Sequence, residues 1–254
     1  MSGPPADPFP AHYAALEARH LGELRFAEVR RALQALSSLY VERREGIALG
    51  RALESRGKRA AFALYYGPLH FLLVREIVRG LGLRPAARLV DLGCGTGSAG
   101  AAWALEGRPA SVQGVDLNGW AVGEARWTLR QLGLPGTATR GDAVAAASDP
   151  AAGLVAAFTV NELDEAARGR LLERVRAAAA AGSPVLVVEP ISRRVSPWWP
   201  EWSDAFVRAG GREDEWRFRP SLPPPLALLG KAAGLDCREL VGRSLAIPAT
   251  RRAG

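Results

Sequence analysis

The sequence predicts an α/β protein, a parallel sheet with helices on both faces, preceded by an N-terminal helical extension. Three observations carry this reading. From Arg88 onward, short apolar runs alternate at least four times with Ala-rich helical stretches, and each return to the same sheet edge needs a helical crossover. Before that point the apolar spacing is helical throughout. Between the two regions stands a glycine-rich turn. The bulk composition agrees: 254 residues, 48% hydrophobic and 23% charged, make a core of one or two domains. Such a chain is not disordered, and its two cysteines rule out a disulfide scaffold.

The opening residues, MSGPPADPFP, read as a loose tail without the basic start and apolar stretch of a secretion signal. Leu16, Leu21, Leu24, Val29, Leu33, Leu36 and Tyr40 then recur at helical spacing among Arg and Glu, predicting three or four helices in an extension over residues 1–84. The segment RAAFALYYGPLHFLLVREIVRGLGLRP continues helical through Pro68, and Gly80, Gly82 and Pro85 supply its stop signals. Its uncharged stretch from Ala60 to Val74 is shorter than the roughly 20 apolar residues of a membrane span. No membrane helix is expected, and the expected location is the cytoplasm.

Residues 85–254 form the second region. RLVDL, SVQGVDL, TATRGD, GLVAAFTV and PVLVVEP read as strands, with SAGAAWALE, AVGEARWTLRQLG and DEAARGRLLERVRAAAAAG as the helices between them. The tail carries SPWWPEW, GREDEWRFRP, SLPPPLALLGKAAG and RELVGRSLAI, enough for a helix and two antiparallel strands at the sheet edge.

In such sheets ligands bind beyond the strand C-termini, and that is where the chemistry-bearing residues fall. The first strand ends Val90-Asp91-Leu92-Gly93-Cys94-Gly95-Thr96-Gly97 and opens a helix. Side chains on this turn would keep a ligand from the backbone. Asp116 ends the second strand, 19 residues after Gly97, where a carboxylate can accept both hydroxyls of a ribose. The third ends Arg140-Gly141-Asp142-Ala143, and the fourth is followed by Phe158-Thr159-Val160-Asn161-Glu162-Leu163-Asp164. Gly95 to Gly100 also satisfies the dinucleotide pattern GxGxxG, so a nicotinamide cofactor is an alternative. In that fingerprint, however, the first glycine follows the strand directly and no acid is expected after the third strand. A third reading makes Asp91 and Asp142 helix caps and the glycines tight turns.

The order of acids after strands one, two and three, with Gly-x-Gly-x-Gly after the first, resembles the class I S-adenosylmethionine-dependent methyltransferases over roughly residues 85–190. The resemblance implies a Rossmann-like, seven-stranded sheet, S-adenosylmethionine as cofactor, and an enzyme that transfers its methyl group. It also implies that Asp91, Gly93, Gly95 and Gly97 line the methionine part, Asp116 holds the ribose, and Asp142 and Ala143 flank the adenine, with Leu117 a further cofactor contact and Asn161 near the methyl group. Methyl transfer is an in-line displacement, so the protein aligns the acceptor and, where needed, supplies a base. Candidate bases are Glu162, Asp164, Glu189 and His70; Glu162 and Asp164 serve equally well as helix caps. Tyr65 and Tyr66, with His70, are placed to cover the site as a lid, or to pack as an aromatic helix face. Trp198, Trp199 and Trp202, among Arg193, Arg194 and Glu201, suit a lid over a planar acceptor, a base-stacking platform or the packing of an edge helix.

Absences narrow the acceptor. Asn-Pro-Pro-Tyr, the usual motif for exocyclic base amines, does not follow strand four. Cys94 lies inside the glycine loop and Cys237 near the end of the chain, which suits neither to attack on a pyrimidine. Only Lys58 and Lys231 could activate a ribose hydroxyl, and three His and two Cys are too scattered for a metal cluster. A narrower resemblance joins the Tyr-Tyr-Gly-Pro helix, Asn161-Glu162-Leu163-Asp164 and Val188-Glu189-Pro190 to the ribosomal small-subunit methyltransferase-like family over about residues 58–190. Those relatives carry iron–sulfur cysteines after strand five, where this chain reads ISRRVSPWWPEW. The net charge of +7, with lysine at only two of 33 basic positions, permits nucleic acid as a partner. The expected acceptor is a small molecule, aromatic or amine-bearing; RNA or the ribosome is the alternative, and the extension can also serve a homodimer.

Overall fold

The computed structural model describes residues 7–42, 53–84, 86–106, 111–146, 152–192 and 196–249. The N-terminal helices are α1 (Phe9–Leu21), α2 (Phe26–Glu42), α3 (Arg56–Ala61) and α4 (Gly67–Leu81). The last two are joined by a single π-helical turn, Phe62–Tyr66. The sequence predicts unbroken helix through Pro68, and the π-turn is how it is accommodated. A proline in a regular helix clashes with the carbonyl four residues earlier; here Gly67 N–H bonds instead to the Phe62 carbonyl five residues back, which widens the turn. Gly82, with φ of 62°, closes α4 in the left-handed conformation.

The remainder runs β1 (Arg88–Leu92), α5 (Ser98–Leu105), β2 (Ser111–Asp116), α6 (Gly119–Gln131), β3 (Gly136–Arg140), α7 (Ala143–Ala146), β4 (Gly153–Ala157), a 3-10 turn (Val160–Glu162), α8 (Glu165–Ala180), β5 (Val185–Glu189), α9 (Trp199–Arg208), β6 (Arg212–Phe218), α10 (Pro224–Ala233) and β7 (Leu240–Ile247). The sheet order is β3-β2-β1-β4-β5-β7-β6. Five strands are parallel; β7 runs antiparallel to both β5 and β6. The seven-stranded α/β sheet with its N-terminal helices is therefore present, and β7 inserts before β6 at the edge.

Strand alternation divides the core. Leu89, Val155, Leu186 and Val188 face α4 and α5, whereas Val90, Leu92, Leu154, Val185, Val187 and Leu245 face α8 and the aromatic side of α9. A third cluster joins α1, α2, α3 and the π-turn to α10. Among the described residues no helix is long and apolar enough to cross a membrane.

The first helix, α1, is held by charge as well as packing. Glu124 of α6 is buried and takes Arg19 Nη2 at 2.8 Å and His20 Nε2 at 3.0 Å, while the Arg19 guanidinium also lies over Trp127. Replacing Glu124 by Ala leaves these donors without an acceptor, so we expect a loss of about 1–3 kcal/mol in chemical denaturation. Hydrogen exchange should show the loss concentrated in residues 9–21; unchanged protection of that helix would contradict the tether.

Candidate functional site

The C-terminal edge of β1, β2, β4 and β5 collects the polar residues singled out above. Gly93, Gly95 and Gly97 all have positive φ (66°, 52° and 80°), which explains glycine at each, but their surroundings differ. A Cβ at Gly93 would sit 2.4 Å from Thr159 Oγ1, and one at Gly97 would sit 3.0 Å from the Ala125 backbone. Those two glycines make room for the protein itself. At Gly95 the nearest atoms are on the Phe62 ring, 3.8 and 3.9 Å away. It is the least crowded of the three, and a Cβ there would be in ordinary contact with that ring alone. Gly100, last of the dinucleotide pattern, is required by packing, since a Cβ would meet Asp91 Oδ2 at 2.8 Å.

The acids are anchored by main-chain donors. Asp91, 1% exposed, accepts from Gly100 N–H at 2.8 Å and so ties β1 to the start of α5. Asp116 accepts from Gly95 N–H at 2.9 Å through one oxygen and from Asn118 N–H at 2.7 Å through the other. This sets the β2 carboxylate directly beside Gly95. Leu117, next along, is 67% exposed, a large apolar side chain presented to solvent at the sheet edge. Asp142 accepts from Val144 N–H and begins the short α7 that contains Ala143. Asp164 caps α8 by accepting from Ala167 N–H.

The β4 loop is the most constrained part. Phe158 has φ of 58°, the one non-glycine with positive φ among the described residues, a conformation that costs on the order of 1–3 kcal/mol and persists only where neighbours enforce it. Here Thr159 Oγ1 donates toward the Leu92 and Gly93 carbonyls, and Glu189 accepts from Val160 N–H, Asn161 N–H and Asn161 Nδ2. The Phe158 ring stacks on His70, centroids 3.9 Å apart and planes at 19°. Phe62 and Tyr66 complete an aromatic wall around His70. Burial pushes the His70 imidazole down to about 4, leaving it neutral at physiological pH.

Several expected positions are used differently. Glu189 is fully buried and its carboxylate is taken up by the β4 loop, so it faces the protein rather than an acceptor; burial raises it to about 8. The Asn161 amide is likewise turned inward, receiving Ser196 Oγ at 2.8 Å and Trp198 Nε1 at 2.9 Å on Oδ1. Trp198, Trp199 and Trp202 are core residues, 8%, 3% and 1% exposed, with Trp199 stacked under Arg243 and donating to Glu213. They form neither lid nor platform, because the amphipathic α9 must bury its indoles against the sheet. Tyr65 is buried beside Cys237, which hydrogen-bonds it, while Tyr66, bonded to Ser37, remains in the aromatic wall. Glu162 is exposed at the rim. Arg193 and Arg194 lie outside the described residues, as do residues 1–6 and Pro85; the rest of the expected loose tail is placed, with Asp7 on Arg75 and Phe9 buried at the start of α1. Phe62 and Phe158 escaped the sequence reading: only the structure shows that a π-turn and a strained backbone bring them together.

Residues 89–182 match the family model described as a methyltransferase domain. No curated protein matches the sequence. The mitomycin 7-O-methyltransferase MmcR is similar in structure, with a TM-score of 0.53 at 16% identity over 95% of this chain and 73% of that one. A Nostoc punctiforme PCC 73102 protein, described provisionally as an O-methyltransferase, has a TM-score of 0.52 at 15% identity over 93% and 72%. At these identities the likeness is one of fold.

The buried acids have a measurable consequence. Asp91 rises from 3.8 to about 7 through desolvation, opposed by the Gly100 hydrogen bond. An acid with a raised pKa favours its neutral form in the fold, so its stabilising contribution is full below the unfolded value and is lost as pH rises through about 7. Asp91→Asn keeps an acceptor for Gly100 and should therefore flatten the fall in melting temperature between about pH 5 and about pH 8. Equal slopes in variant and parent would show that Asp91 does not titrate in this range.

Proposed function

We propose that residues 89–182, which match the methyltransferase-domain model, belong to an S-adenosylmethionine-dependent domain of the class I kind, and that the chain methylates a small, planar acceptor enclosed between the glycine loop and its N-terminal helices. One observation carries this: the π-turn and α4 lie directly on the glycine loop. A Cβ on Gly67 would come within 2.8 Å of Thr96 Oγ1, and one on Gly95 would lie in van der Waals contact with the Phe62 ring. The acceptor side of the loop is thereby walled by Phe62, Tyr66, His70 and Phe158, a surface suited to a flat ring rather than a polymer backbone. MmcR and the Nostoc protein, whose names specify O-methylation, align along nearly the whole chain, which agrees with a hydroxyl-bearing acceptor.

The residues present fit the cofactor: the least crowded glycine of the loop, Gly95, lies beside a carboxylate, Asp116, that holds the loop by one oxygen. When bound, S-adenosylmethionine supplies a methyl group on a positively charged sulfur. In this reading Asp116 receives the ribose hydroxyls, and Asp142, Ala143 and Leu117 border the adenine. The loop backbone at Gly93 and Gly95 follows the methionine part, beside Asp91 and Gly97, which shape the turn. The Phe158 and Phe62 rings orient the acceptor and exclude water. Neutral His70, the candidate base on the wall itself, accepts a hydrogen bond from the acceptor hydroxyl and orients it; held to about 4 by burial, it is too weak a base to keep the released proton, which passes to solvent. Glu162 at the rim is the second candidate.

Calorimetric titration with S-adenosylmethionine and S-adenosylhomocysteine, with NAD as control, tests the premise. We expect micromolar binding of the first two and none of NAD. Gly95→Val should abolish that binding, and it should also lower the melting temperature, because a β-branched residue at φ of 52° is strained; retained affinity would move the ligand off the loop. Methyl transfer from labelled cofactor to phenolic and amine-bearing small molecules, and in parallel to ribosomal RNA, tests the acceptor. Transfer to a phenol that falls at least about tenfold in His70→Ala supports the proposal. Transfer to RNA alone would overturn it in favour of an RNA methyltransferase.

A further inference from the structure

Two polar side chains at this edge are unused by the mechanism above, the half-buried Asn161 and the buried Glu189. Their hydrogen bonds have a fixed polarity. Glu189 accepts from three N–H donors, at Val160 N, Asn161 N and Asn161 Nδ2, at 2.9, 3.2 and 2.7 Å. Asn161 Oδ1 accepts from Ser196 Oγ and Trp198 Nε1, so the amide cannot turn over without setting its NH2 against two donors. Arg243 stands opposite Glu189 in the β5–β7 register, with its guanidinium over Trp199. The backbone these bonds hold begins one residue after Phe158, whose positive φ nothing intrinsic favours. On the other side Thr159 is pinned to the Leu92 and Gly93 carbonyls.

We propose that Asn161 and Glu189 are a positioning pair which, by clamping residues 160 and 161, holds Phe158 in its strained conformation against His70 and so sets the wall of the acceptor site. Neither touches the acceptor. The pair acts through Phe158, and its role in transfer rests on the methyltransferase reading given above, whereas its effect on Phe158 does not.

The polarity supplies the test. Glu189→Gln sets an NH2 against the Asn161 NH2, and Asn161→Asp sets a carboxylate against Glu189. The double variant Glu189→Gln, Asn161→Asp reverses the bond: the introduced amide donates to the introduced carboxylate, the amide oxygen still accepts from the two backbone N–H groups, and the other carboxylate oxygen still receives Ser196 and Trp198. The count of carboxyl groups matches the parent. With only three histidines in the chain, the His70 ring protons can be followed by NMR, where stacking on Phe158 shields them. We expect that shielding to be lost in each single variant and regained in the double, although a merely structural pair would change melting temperature alone. S-adenosylhomocysteine affinity, measured alongside, should fall about tenfold in the single variants and recover in the double. Single variants with parental His70 shifts, or a double variant no better than the singles, would overturn the proposal. Should the single variants fail to fold, Ser196→Ala removes one of the two donors to Asn161 and should still move the His70 resonances in the same direction; no movement overturns the proposal. If the parent itself does not bind S-adenosylhomocysteine, the methyltransferase reading fails, while the NMR result decides the pair on its own.

Discussion

A carboxylate withdrawn from water must find donors, and the acids that end β1, β2 and β5 find theirs in the main chain of neighbouring loops. Asp91 takes the N–H of Gly100, Asp116 those of Gly95 and Asn118, and Glu189 those of Val160 and Asn161. Each bond crosses from a strand end to a loop and fixes that loop's path. The cradle at Gly95, the start of α5 and the bend at Phe158 are three results of the same requirement. Removing any one acid would leave N–H groups buried and unpaired, a cost on the order of 1–3 kcal/mol each, so these acids hold the edge together whether or not a ligand is present.

The fold was legible because its signals are periodic. Alternating apolar residues in β1, β4 and β5 sort between two faces as the pattern demands, and the charged GREDEWRFRP stretch suits the exposed edge position that β6 takes. Helix through Pro68 was also readable, although the π-turn that makes it possible was not, since nothing local in FALYY announces a widened turn. The site was legible as a location and less so as a set of roles. Acids and glycines at strand ends mark an edge where ligands bind, but a sequence does not show where a carboxylate points. Glu189 and Asn161 carry the residue types of chemistry, yet their side chains are turned inward. The three tryptophans of SPWWPEW admitted both an exposed and a buried role, and amphipathic α9 places them in the core.

The glycines make the same point at finer scale. One spacing, Gly-x-Gly-x-Gly, meets three settings: Gly93 admits Thr159, Gly97 admits α6, and Gly95, the least crowded, faces the Phe62 ring alone. A motif read from sequence treats them as equivalent. What separates them is the neighbour, which belongs to another part of the chain in every case.

The sheet order has a consequence for how the molecule assembles. β7 pairs with β5 on one side and β6 on the other, and Leu73 of α4 lies against Gly242 of β7, where a Cβ would come within 3.0 Å of its Cδ2. Likewise, α2 rests on α10. The helices that roof the cradle are synthesised early, and α4 finds α5 and β1 soon after it emerges, but the last surfaces that the roof rests on, β7 under α4 and α10 under α2, come near the end of the chain. Contacts of such long sequence separation slow folding, and the joints of this roof with β7 and α10 are the last that the order of synthesis allows to form.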